Sequence, residues 1–130
     1  MLSGTSAAFV AAHACGAAQE KAAIAMIKAA LPVITSIDWQ QVPSCLEVPG
    51  VGREQLEQAL RGIAASIGLP AGAALTVIQM DDAVPALEVR LEDWLQHVDA
   101  LDFVDTLFLS VQDRILIHWD FYKNLHAVRF

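Results

Sequence analysis

The sequence predicts an α+β protein. A C-terminal three-strand meander plus one or two earlier strands forms an antiparallel sheet, packed against two or three helices. Three observations carry this expectation. Residues 5–31 are alanine-rich with apolar residues at three-four spacing, residues 53–67 repeat that spacing, and residues 103–130 alternate apolar with polar. Helices segregated from strands along the chain suggest helices on one face of a mainly antiparallel sheet. At 130 residues the chain reads as one domain, residues 1–130, long enough to bury a core.

Taken in order, Thr5 to Leu31 predicts one long helix. Ser3, Thr5 or Ser6 can cap it, Val10, Ala17, Ile24, Ile27 and Leu31 form its stripe, and Pro32 ends or kinks it. Thr35 to Gly52 is irregular, punctuated by Pro43, Pro49, Gly50 and Gly52. Arg53 to Ile67 predicts a second helix, with Leu56, Leu60, Ile63 and Ala64 on one face and Gly68 as its stop. Ala74 to Met80 has the β-branched character of a short buried strand. Leu87, Leu91, Trp94, Leu95, Val98 and Leu101 then predict a third helix over about 85–101, with an extended start at ALEVRL as the competing reading. Phe103–Val111, Arg114–Phe121 and Leu125–Phe130 complete the meander, with tight turns at Gln112-Asp113 and Lys123-Asn124. Those turns put Phe108, Ile115, Ile117, Trp119, Val128 and Phe130 on the core face and Leu116, His118 and Asp120 on the other.

Charge is the most uneven property of the chain. Residues 81–113 hold nine carboxylates against the single base Arg90, a balance of −8 in a chain of net charge −7. Such a field attracts a basic partner and repels nucleic acid. Apolar residues make up 55%, too many for a disordered chain. Ser6–Ala18 is apolar and small, but no Lys or Arg precedes Lys21, so the basic start of a secretory signal is missing. Gln19, Glu20 and Lys21 interrupt the best apolar run before it reaches membrane-spanning length. Cys15 and Cys45 form no C-x-x-C or zinc-type spacing and read as free thiols. The expectation is a soluble cytoplasmic protein, monomer or homodimer, with no cofactor and no metal.

Three groups of residues stand out as candidate sites. Asp82, Glu88, Glu92, Asp93, Asp99 and Asp102 would form an acidic docking surface on the predicted third helix and the loop after it, where Glu88 and Glu92 are like-charged neighbours four apart. His118 and Asp120 share a strand face, and a turn at Gln112-Asp113 sets Asp105 opposite Asp120; a histidine with two carboxylates can serve as a base with orienting groups, or as half a metal site. His126 falls on the predicted apolar face. The third is Val48-Pro49-Gly50-Val51-Gly52 before a helix, which resembles the hairpin of the helix-hairpin-helix family. That resemblance implies backbone N–H groups gripping a DNA phosphate. Pro43, Leu56 and the acids Glu47, Glu54 and Glu57 depart from the pattern, and a turn preceding a helix explains the glycines without it.

No nucleophile elbow, phosphate loop or dinucleotide fingerprint is present, so catalysis is not the leading expectation. Size, charge and the lack of catalytic motifs resemble, in character alone, toxin-neutralising immunity proteins. The leading reading is thus a protein-binding module that occludes a basic partner, such as a nuclease toxin. A small enzyme or ligand-binding protein built on His118, Asp120 and Asp105 is the first alternative, with a cleft at that face as its discriminator. A structural homo-oligomer is the second.

Overall fold

The computed structural model describes residues 4–31, 37–42, 45–70, 72–79, 86–96, 105–120 and 122–130. Its elements run α1 (Gly4–His13), α2 (Ala17–Ala30), a 3₁₀ turn (Trp39–Gln41), β1 (Leu46–Val48), α3 (Leu56–Ile67), β2 (Ala74–Gln79), β3 (Leu87–Arg90), α4 (Leu91–Leu95), β4 (Thr106–Ser110), β5 (Ile115–Trp119) and β6 (Leu125–Arg129). The strands form one six-stranded antiparallel sheet in the order β1-β6-β5-β4-β2-β3. The α+β class is as the sequence predicts.

The expected long first helix is two helices. Between them Ala14 bridges to Leu87, and the Cys15 N–H donates to the Ala86 carbonyl at 2.8 Å. The chain thus runs along the free edge of β3 before entering α2. That contact is tertiary, and it overrides the local helix propensity of the alanines. It also lets the two helices serve opposite faces of the sheet, where the sequence suggested helices on one face only. Phe9 and Val10 of α1 join α3, α4 and Phe108, Ile117 and Trp119 in one core. Ala23 and Ile27 of α2 pack with Ile78, Leu109 and Leu116 in the other.

Helix α3 begins at Leu56, because Arg53–Gln55 are spent on a turn. Leu56, Leu60, Ile63 and Ala64 are buried as expected. Gly68 ends the helix in the left-handed region (φ 85°), where its N–H reaches the Ala65 carbonyl and the Leu69 N–H reaches that of Ala64. This is a Schellman end, which glycine occupies at least cost.

The predicted helix over 85–101 is corrected. Residues 87–90 form a strand, since Leu87 and Val89 pair with Val77 and Leu75 of β2 and are buried while Glu88 and Arg90 face out. The period is two until Arg90, and α4 begins at the next residue. Residues 97–104 lie outside the described residues.

In the β4–β5 hairpin Thr106 pairs with Trp119 and Ser110 with Ile115 across a four-residue loop, two residues longer than expected. Only the Val111–Arg114 pair is unmade; the register is the expected one, and Phe108 meets Ile117 as predicted. The β5–β6 hairpin differs. Trp119 pairs with Leu125 across five intervening residues, which shifts the register by an odd number. Every side chain of β6 therefore changes face. Leu125 and Ala127 join the core with Ile117 and Trp119, while His126 and Val128 lie on the face of His118 and Leu116.

Candidate functional site

The odd register has a visible cause in Asp120. Its Oδ1 accepts the backbone N–H groups of Tyr122 and Asn124, both at 2.9 Å, so the carboxylate organises the turn it opens. The Lys123 N–H closes the turn onto the Asp120 carbonyl at 3.0 Å, with Lys123 at φ 66°. Asp120 Oδ2 then accepts from His126 Nε2 at 2.9 Å. One carboxylate thus sets the hairpin length and orients the histidine that the length delivers.

His118 and His126 are cross-strand partners with ring centroids 6.0 Å apart, and both are buried. Trp39, from the 3₁₀ turn, covers both rings. It stacks on His126 at 4.9 Å with 5° between planes, and its indole Nε1–H donates to His118 Nδ1 at 2.8 Å. An indole nitrogen can only donate, so His118 Nδ1 carries no proton. The ring proton sits on Nε2, which donates to Asp105 Oδ1 at 2.5 Å. His118 therefore has neither nitrogen free. It is a fixed wall rather than a general base.

His126 is different. With Nε2 given to Asp120, its Nδ1 is buried and makes no hydrogen bond. Glu47 Oε2 of β1 stands 3.7 Å away, beyond hydrogen-bond reach. Its side chain is 53% exposed, against 7% for His126.

These groups line a cleft of about 580 Å³, together with Asp38, Gln40, Tyr122 and Asn124. The volume falls within the usual range for small-molecule sites. Among its described lining residues are four carboxylates, two histidines and no lysine or arginine. No cluster of three or more His, Cys, Asp or Glu side chains arranged to hold a metal occurs among the described residues.

His118, Asp120 and Asp105 thus come together as the strand register predicts, and they do so at a cleft. His126, Trp39 and Glu47 were missed. An Asp-x-x-x-Asn turn before an apolar strand is the signal that could have placed His126. Nothing local marks Trp39 as its cover.

The acidic set is not gathered in the same way. Glu88 is exposed on β3, Glu92 lies on α4, and so the helical i,i+4 relation between them does not exist. Arg61 of α3 pairs with both Glu57 and Glu92. Hydrogen bonding from Arg61 holds the Glu92 carboxyl below its ordinary range and raises the Arg61 guanidinium. Asp93 pairs with Arg90 at 3.2 Å. Asp82, Asp99 and Asp102 lie outside the described residues.

The Val48–Gly52 turn is also accounted for internally. A strand, not a helix, precedes it; the Val51 N–H donates to the Lys123 carbonyl at 2.7 Å, and the Val51 carbonyl accepts from Trp119 Nε1 at 2.9 Å. Gly50 supplies a positive φ of 66°, and its N–H meets Asn124 Oδ1 at 3.3 Å. These N–H groups hold the β5–β6 turn, which replaces the phosphate contact implied by the helix-hairpin-helix resemblance.

Comparison with protein-family models, with curated proteins and with solved structures found no match. No helix among the described residues is long and apolar enough to cross a membrane.

Proposed function

We propose that this protein works by binding a small polar ligand in the cleft between the 3₁₀ turn and the ends of β1, β5 and β6. The observation that supports it is the buried pair of carboxylate-bound histidines under Trp39, at the base of a cleft of about 580 Å³. Buried polar groups cost stability unless satisfied, and a satisfied network fixes one geometry. Here the fixed geometry presents Glu47, Asp38 and the open side of Asp105 to the cleft. Binding is favoured over catalysis because His118 has both nitrogens committed and no serine, threonine, cysteine or lysine lies among the described lining residues. The test is a thermal-shift screen of small cations, neutral polyols and small carboxylates, repeated with Trp39→Ala. A class that raises the midpoint of the native chain and not of the variant supports the reading. No stabilisation by any class counts against it.

A basic protein partner is the second reading, with this chain as its inhibitor. It is favoured by the −8 balance of residues 81–113, of which Glu88 is an exposed member. Glu92 and Asp93 contribute less than their charge suggests, since Arg61 and Arg90 already compensate them. A salt-sensitive complex with a basic protein, weakened by Glu88→Lys, would carry it.

A further inference from the structure

We propose that the ligand of this cleft is an organic nitrogen cation, such as a guanidinium or primary ammonium compound, whose N–H groups bridge His126 Nδ1 and Glu47. The inference rests on the binding role proposed above and assigns the ligand's chemical class.

The ring donors at the base of the cleft are all spent inside the protein. Trp39 Nε1–H goes to His118, His118 Nε2–H to Asp105, and His126 Nε2–H to Asp120. The Asp120 carboxylate is likewise filled, by two backbone N–H groups and His126. Around His126 what remains is acceptor capacity, while the Gln40 and Asn124 amides and the Tyr122 hydroxyl are the lining groups able to donate. Asp105 uses one oxygen on His118, Glu47 Oε2 stands beyond hydrogen-bond reach of His126, and His126 Nδ1 makes no hydrogen bond.

The last of these is decisive. A ring nitrogen this deeply buried without a partner costs free energy, and such groups are rare in folded proteins. His126 Nδ1 lies 3.7 Å from Glu47 Oε2, and both are acceptors while Nε2 holds the ring proton. Two acceptors that close repel one another unless a donor sits between them. One N–H-bearing cation can reach both. A carboxylate or phosphate ligand would instead meet four carboxylates in the lining and no lysine or arginine among the described residues. Trp39, already flat against His126, and exposed Tyr122 offer aromatic surface to a cation at the same mouth.

The test uses the intact chain with agmatine, which carries a guanidinium and an ammonium group. Controls of similar length are a neutral diol and a dicarboxylate. Calorimetry should show one agmatine bound per chain, with neither control binding. Glu47→Gln should weaken agmatine by about tenfold, the least that one charge-assisted hydrogen bond is worth. Glu47 is half exposed, so this variant folds. In ¹⁵N spectra of the free protein His126 should appear as its Nε2–H tautomer, and its Nδ1 resonance should move on agmatine binding. Binding of the diol or dicarboxylate in place of agmatine overturns the cation assignment and leaves the cleft as a binding site. A proton on His126 Nδ1 in the free protein, or no effect of Glu47→Gln, also overturns the assignment. Binding of none of the three defeats the assignment and the binding role together.

Discussion

Trp39→Phe isolates the contact that joins the 3₁₀ turn to the sheet. The substitution keeps an aromatic ring to stack on His126 and removes one donor, the indole N–H that meets His118 Nδ1 at 2.8 Å. His118 is 4% exposed, so its Nδ1 is left as a buried acceptor without a partner. Such a loss costs about 1–3 kcal/mol, and because Trp39 itself is only partly buried, entry of water favours the lower half. For a chain of this length that is roughly 3–4 °C in Tm per kcal/mol, so a fall of about 3–8 °C is expected. Thermal unfolding followed by circular dichroism measures the fall in Tm, and urea unfolding measures the free-energy cost. A double-mutant cycle with His118→Leu should return a coupling of about 1–2 kcal/mol. A Trp39→Phe protein as stable as the native chain, or a coupling near zero in the cycle, would refute the hydrogen-bond assignment and with it the Nε2–H tautomer of His118.

Other consequences are open to equally direct measurement. Asp120→Ala removes the acceptor for Tyr122 N–H, Asn124 N–H and His126 Nε2–H at once, and should destabilise by about 2–4 kcal/mol in chemical denaturation. Gly68→Ala places a Cβ at φ 85° and 2.8 Å from Arg129 Nη2, and should cost about 1–2 kcal/mol, whereas Gly62→Ala meets open space in mid-helix and should stabilise or be neutral. Burial, then the charges of Glu88 and Glu20, raise the Cys15 thiol above its ordinary value. The thiolate is therefore scarcer at neutral pH than for an ordinary cysteine. Cys15 alkylation should be slow at pH 7 and climb steeply above pH 9, with Glu88→Gln moving the profile to lower pH in a mass-resolved time course.

What was legible in the sequence follows from how local each determinant is. Alternation over Ile115–Trp119 is strictly local, and it placed the two faces of β5 without help. The pairing of Asp105 with the end of β5 followed from a hairpin whose register is the one a turn at Gln112-Asp113 sets, with only its Val111–Arg114 pair unmade. In the second hairpin the register itself moved. Asp120 holds a five-residue connection by side-chain bonds to Tyr122 and Asn124, and an odd change in register carried His126 from the predicted core face to the cleft. The break at Ala14–Gly16 was hidden because its cause, the edge of β3, lies over 70 residues away in sequence. At ALEVRL the strand passes into α4 without a turn residue, so periods of two and of 3.6 overlap at Leu87 and Leu91 and the pattern alone cannot choose between them. Trp39 carries no periodic signal at all; only the assembled sheet shows what it covers.

The central claim is that the cleft over His118 and His126 is where this protein binds a cation. A ¹H–¹⁵N chemical-shift map with agmatine tests it most directly. Shifts should be confined to residues 37–42, 45–48, 105 and 118–126, including the Trp39 indole N–H, and should saturate together. Shifts centred on Glu88 and Glu92, or no saturable shifts anywhere, would contradict it.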